Sequence, residues 1–187
     1  VAIRKEDRTI LVEGQMDLVL SHQAGIDNTV AVSGTALTEE HLKILGRLSP
    51  NLVMAFDADN AGIKASGRAL EMALALGMTV KVALLPDGMD PADLVRKDPA
   101  AWESCIKNAK HVIDFYLDVY KAKITDQSEL RKTVERDLLP YVALLASTLD
   151  QGHYISKIAT LLSLSEPIIW DAVKKIKLVV SDLHVGR

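Results

Sequence analysis

The chain has 187 residues, 49% apolar and 25% charged, with a net charge of -3. That balance describes a soluble globular protein with room for one sizeable core or two small domains, and it excludes a disordered chain. The acidic excess also excludes a strong general nucleic-acid binder, because such affinity rests on lysines and arginines that neutralise phosphates.

The amino-terminal part alternates short β-rich runs with helical patterns. In chain order, strands are predicted over 9–13, 29–32, 52–56 and 80–85, and helices over 16–24, 38–48, 61–76 and 92–97. Such alternation builds βα units around a mainly parallel sheet. Eight of the ten glycines lie at or before Gly88, so the punctuation changes midway, and a domain boundary is placed near residue 110. Beyond it, residues 111–124, 128–147, 154–162 and 167–178 carry apolar side chains at three- and four-residue spacing, which predicts a helical bundle over 111–187. Pro140 is expected to kink or split the second of these helices. Ser165 is expected to cap the last, with Pro167 in its first turn.

No apolar run approaches the roughly 20 residues of a membrane span. The opening VAIRKEDRTI is too charged for a signal peptide, so a cytoplasmic location is expected. The start lacks a methionine, as a segment of a longer protein would. Cys105 is the one cysteine and is expected to be a buried, inert thiol in a helix. His22, His41, His111, His153 and His184 are too scattered for a ligand set. Trp102 and Trp170 are expected to pack helices, and no aromatic platform for stacking bases is expected.

The chemistry lies in the acids at predicted strand ends. LVMA at 52–55 runs into FDADNAG at 56–62, so Asp57 and Asp59 leave the strand on one side of the pleat. At roughly 4 Å and an effective dielectric of about 20, two such charges repel by about 4 kcal/mol. The pair therefore needs open water, a shared proton or a cation. In an open parallel sheet, ligands sit beyond the carboxyl ends of the strands. The first strand ends at Glu13, with Gly14 in the turn and Asp17 in the following helix; the fourth leads into Asp87, Asp90 and Asp93. Three strand ends thus bring carboxylates to one edge, and oxygen donors without a His or Cys cluster suit Mg²⁺ or Mn²⁺ rather than zinc. Each acid also has a plainer role. Asp17 suits the positive end of its helix, Asp87 suits a Pro-Asp-Gly turn, and Asp59 or Asn60 would cap a helix.

EGQMD, FDADNAG and PDGMDPADLV, with VAVSGTALTEEH between the first two, resemble the Toprim domain of bacterial DnaG-type primases. HYISKIATLLSLSEPII at 153–169 is similar to the helical subdomain that closes the primase catalytic core. The resemblance implies a Toprim-like α/β domain over 1–110 and a small all-α subdomain over 111–187. It further implies RNA primer synthesis from ribonucleoside triphosphates on a single-stranded DNA template, with divalent metals and pyrophosphate release. Carried over by motif, Glu13, Asp57 and Asp59 are the leading metal and catalytic acids, with Asp17 and Asp90 behind them. A proton-relay role for Glu13 is the alternative. One departure stands out: many primases read Asp-Pro-Asp where this chain has Asp90-Pro91-Ala92-Asp93, so that Asp93, one residue later, either substitutes for the missing acid or caps a helix beginning near Leu94, the cap being the favoured reading.

Lys64 and Arg68, four apart, would share a helix face and meet a triphosphate or template phosphate; a solvated face is the plainer reading. Gly34 and Thr35 precede a helix, but Glu39 and Glu40 in its first turn would repel phosphate, so Thr38 is expected to be an ordinary cap. In the family, the template grip and a zinc-binding domain precede the Toprim element, and the replicative-helicase contact belongs to a further carboxyl-terminal domain. The 187 residues alone are therefore expected to bind metal and make little primer. Other readings are another Toprim enzyme (topoisomerase or nuclease), a haloacid-dehalogenase-like phosphotransferase with Asp57 as nucleophile, and a non-catalytic scaffold.

Overall fold

A computed structural model describes residues 2–34, 37–55, 67–86 and 88–185. Val1–Val112 form one compact unit and Ile113–Arg187 another.

The first unit contains a sheet of five strands among the described residues, in the order β2-β1-β3-β4-β5. These are β1 (Thr9–Val12), β2 (Thr29–Ala31), β3 (Asn51–Met54), β4 (Thr79–Val82) and β5 (Lys110–His111). The first four are mutually parallel, with Ile10 opposite Thr29 on one side and Val53 on the other. β5 runs antiparallel to β4, pairing Lys81 with His111. Sequence patterning does not anticipate it, because two residues carry no periodicity.

Every residue of β1 is buried, as expected for a central parallel strand covered on both faces. Ile10 and Val12 pack with Val53, Ala55, Ala83 and Leu85 beneath Leu94, Val95, Trp102 and Ile106. Leu11 points to the other face, where it lines a cavity of about 270 Å³ with Val30, Leu45 and His41. α1 (Ala2–Glu6) precedes the first strand, and α2 (Gln15–Gln23), α3 (Glu39–Gly46), α4 (Gly67–Ala75), α5 (Pro91–Lys97) and α6 (Pro99–Lys107) follow strands.

α5 and α6 start alike. Asp90 and Asp98 are their N-caps, each followed by proline, and their carboxylates accept from Asp93 N–H and from Ala100 and Ala101 N–H. Proline at the first helical position loses only an N–H that has no intrahelical partner. The cap predicted at Asp93 is therefore displaced by three residues. Asp93 lies inside the first turn of α5, ion-paired to Arg96 at 3.6 Å. The Thr38 cap is present, its hydroxyl accepting from His41 N–H, with Glu39 and Glu40 in the first turn of α3.

The described elements of the second unit are all helices: α7 (Val112–Lys123), α8 (Gln127–Thr133), a π-helical segment (Val134–Leu138), α9 (Leu139–Leu144), α10 (Thr148–Leu162) and α11 (Glu166–Val185). Pro140 splits the second predicted helix by this means. It has no N–H for the Arg136 carbonyl, and its ring crowds that carbonyl. The backbone widens instead, and Leu139 N–H reaches Val134 O. Tyr116 packs on Tyr141 with ring centroids 5.6 Å apart. Asp114 of α7 accepts from Lys157 Nζ at 2.7 Å and from Tyr154 OH at 3.2 Å, both on α10. Trp170 of α11 lies against Gly152 of α10. No helix among the described residues is long and apolar enough to cross a membrane.

Candidate functional site

The carboxyl edge of the sheet carries the described candidate acids. Glu13 follows β1 directly and is exposed. Its position is fixed through its backbone: Glu13 O accepts from Ser33 N–H at 3.1 Å, and the next N–H, that of Gly14, donates to Asp17 Oδ2 at 2.9 Å. Both polar groups of the Glu13–Gly14 peptide are thus held. Ser33 reaches this place through a left-handed turn, with φ of 49° at Ser33 and 74° at Gly34. Its hydroxyl accepts from Gln15 Nε2 at 2.7 Å. The β2–α3 loop therefore folds over the β1–α2 turn.

Asp17, at the third position of α2, is buried. Its second oxygen, Oδ1, accepts from Ala92 N–H at 3.0 Å across a separation of 75 residues. Ala92 is two residues past Asp90, whose own Oδ1 accepts from Asp93 N–H at 2.6 Å. Burial pushes the Asp17 carboxyl above its ordinary value, the N–H donors of Gly14 and Ala92 oppose that shift, and the charges of Asp90 and Asp93 add to it. The helix-end role read for Asp17 is present, but its reach to a second helix is not something spacing can reveal. Gly14 is needed for closeness rather than for backbone freedom. Its φ of -97° suits any residue, yet a Cβ there would stand 2.9 Å from Asp17 Oδ2.

Arg68 is exposed at the second position of α4. Asp57, Asp59, Lys64 and Asp87 lie outside the described residues. Among the described residues no group of three or more His, Cys, Asp or Glu is placed to hold a metal ion. Among the described candidates, Asp17 is engaged at both oxygens and Asp90 at one. Ser33, Gln15 and the Ala92 amide were missed in the sequence reading. Ser33-Gly34 before a helix was a signal for a tight turn, whereas an amide gives none.

Residues 10–95 match the Toprim-like family. A DNA primase of Clostridium acetobutylicum is 34% identical over 170 residues, 89% of this chain and 28% of the relative. That of Geobacillus stearothermophilus is 37% identical over 169 residues, 88% of this chain and 28% of the relative. The chain carries a Toprim-like domain, and DNA primases are its relatives over most of its length. It spans little more than a quarter of the length of the curated primases it matches. Among solved structures, a DnaG primase catalytic domain bound to single-stranded DNA aligns with a TM-score of 0.75 and 28% identity, covering 89% of this chain and 55% of that one. The E. coli primase catalytic core gives 0.74 and 29%, over 88% and 55%. A Toprim domain with a helical continuation is therefore what primase catalytic cores share with this chain.

Proposed function

We propose that this chain supplies the metal-binding acids of a primase catalytic core, which joins ribonucleotides into a primer on single-stranded DNA. The observation that carries this reading is the match to primases, in sequence and in fold, over nearly nine tenths of the chain; the position of Glu13 at the carboxyl edge of the sheet supports it. Glu13, Asp57 and Asp59 hold divalent cations, Mg²⁺ or Mn²⁺, as suits an oxygen-only donor set. Bound there, such ions lower the pKa of an attacking hydroxyl and neutralise charge on the phosphoryl group in transfer. Asp90 keeps one carboxylate oxygen clear of its cap and is a subsidiary donor. Lys64 and Arg68 face a triphosphate or template phosphate.

Calorimetric titration of the chain with Mn²⁺ tests the site: millimolar or tighter binding is expected, lost in Asp57→Ala and Asp59→Ala. Primer synthesis by a protein that joins this segment to the template-binding part of a primase tests the activity. Synthesis indifferent to both substitutions would remove the assignment. The 187 residues alone are expected to bind Mn²⁺ while making little or no primer.

A further inference from the structure

We infer that Asp17 is a positioning residue, holding the Glu13 turn and the Asp90 turn in one frame, and not a metal ligand. The inference rests on the metal site proposed above and assigns this acid a different role within it. Its Oδ2 takes the Gly14 N–H at 2.9 Å and its Oδ1 takes the Ala92 N–H at 3.0 Å. Asp17 is buried, only 7% exposed, and the Ala92 N–H is buried with it, so that donor has no water as a ready substitute. Freeing an oxygen for a cation would orphan one of the two N–H groups, and an unsatisfied buried donor is costly. The clamp reaches both candidate acids through the backbone. On one side it closes the Glu13–Gly14 peptide, whose carbonyl is held by Ser33 N–H. On the other it fixes the first turn of α5, where Asp90 is the cap. Position 92, where many primases carry an acid, contributes its amide in this chain.

Two measurements on the full chain decide this. In hydrogen exchange followed by NMR, the Gly14 and Ala92 amides are expected to be protected without metal and to stay protected at saturating Mg²⁺. Release of either amide by Mg²⁺ would show Asp17 turning to the ion and would overturn the inference. In calorimetry, Asp17→Asn keeps one acceptor oxygen and is expected to weaken Mn²⁺ binding by about three- to tenfold, the scale of one hydrogen bond, at unchanged stoichiometry and with amide protection in β1 and β3 intact. Wild-type affinity in Asp17→Asn would mean a merely structural role, and complete loss, as expected for Asp57→Ala, would mean a ligand; either overturns it. If Asp17→Asn does not fold, the Mg²⁺ exchange experiment on the unsubstituted chain decides. Absence of Mn²⁺ binding by the unsubstituted chain would instead refute the metal site itself, and this inference with it.

Discussion

Gly14→Ala isolates the contact on which the Glu13 turn depends. The backbone at this position (φ -97°, ψ 154°) accepts alanine without strain, so any cost comes from the new methyl group. That methyl would stand 2.9 Å from Asp17 Oδ2 and 3.6 Å from its Cγ. The carboxylate must withdraw, and the hydrogen bond to Gly14 N–H goes with it. A hydrogen bond to a charged group contributes about 1.5–3 kcal/mol, and alanine returns about 0.4–1 kcal/mol by restricting the unfolded chain. The net expectation is a loss of about 1–2 kcal/mol. With a urea dependence of about 1–3 kcal/mol per molar, the unfolding midpoint should fall by roughly 0.5–1 M. Trp102 fluorescence reports this unit once Trp170 is replaced by phenylalanine. In an Asp17→Ala background the nearest remaining atom is Met16 N at 3.9 Å, so Gly14→Ala should there be neutral or slightly stabilising. Equal shifts in the two backgrounds, or a higher midpoint from Gly14→Ala in the parent, would refute the reasoning.

Tyr154→Phe should destabilise the helical unit by about 1 kcal/mol through loss of its bond to Asp114. Lys157→Met should cost less, since its partner-facing end is exposed; urea midpoints compare the two. Burial raises the Cys105 thiol, so iodoacetamide should alkylate it more slowly than a free cysteine peptide at pH 8, and faster in urea; equal rates by mass spectrometry would contradict its packing. The folded Asp17 carboxyl is raised, so in metal-free protein its contribution to stability is fully present below its unfolded value of about 3.9 and is lost as pH rises through its folded value. Asp17→Asn should flatten the unfolding profile over that window. Ala92→Asp places a further carboxylate at a buried position beside Asp17 and Asp90. It should lower the thermal midpoint without divalent ions and recover part of the loss with Mg²⁺ by linkage; a midpoint indifferent to Mg²⁺ would show that no cation reaches position 92.

The sheet could be read from the sequence because β1 and β3 are short apolar runs punctuated by glycine and acids, and β1 is buried on both faces. Many element ends moved by a residue or two, but β4 ends three residues before its predicted end, α10 starts six residues earlier than predicted and α11 ends seven residues later. α1 was not predicted either, and three other features escaped for different reasons. β5 is too short to have a pattern. α6 has only Trp102 and Ile106 as buried anchors, and its Asp98-Pro99 start was a better signal than its periodicity. The cap of α5 was misplaced because Asp90 and Asp93 are equally plausible by composition; proline at position 91 decides in favour of Asp90, since Pro91 is ready-made for a first helical turn and cannot sit in its interior without cost. At the site, the acids announce themselves because charged residues beside buried strands are anomalous. Their supports do not, because Ser33 and Ala92 act through backbone N–H groups that nearly any residue supplies.

That difference explains what this chain keeps at position 92. Alanine there removes a carboxylate from the place where many primases have one, yet the amide to which Asp17 is bonded is retained. Asp93 is a poor substitute for the missing acid: it is exposed, belongs to the helix turn capped by Asp90, and pairs with Arg96. If a second cation position were built on the acid at 92, its loss here would leave the frame around Glu13 untouched, because the frame is made of main-chain bonds from Ser33, Gly14 and Ala92. On the proposed metal-binding reading, the two functions of this edge, carrying charge to an ion and holding the turns that carry it, are thus borne by different atoms. A substitution at 92 that keeps its N–H alters only the first, whereas proline, which has none, would remove one of the two bonds that Asp17 makes.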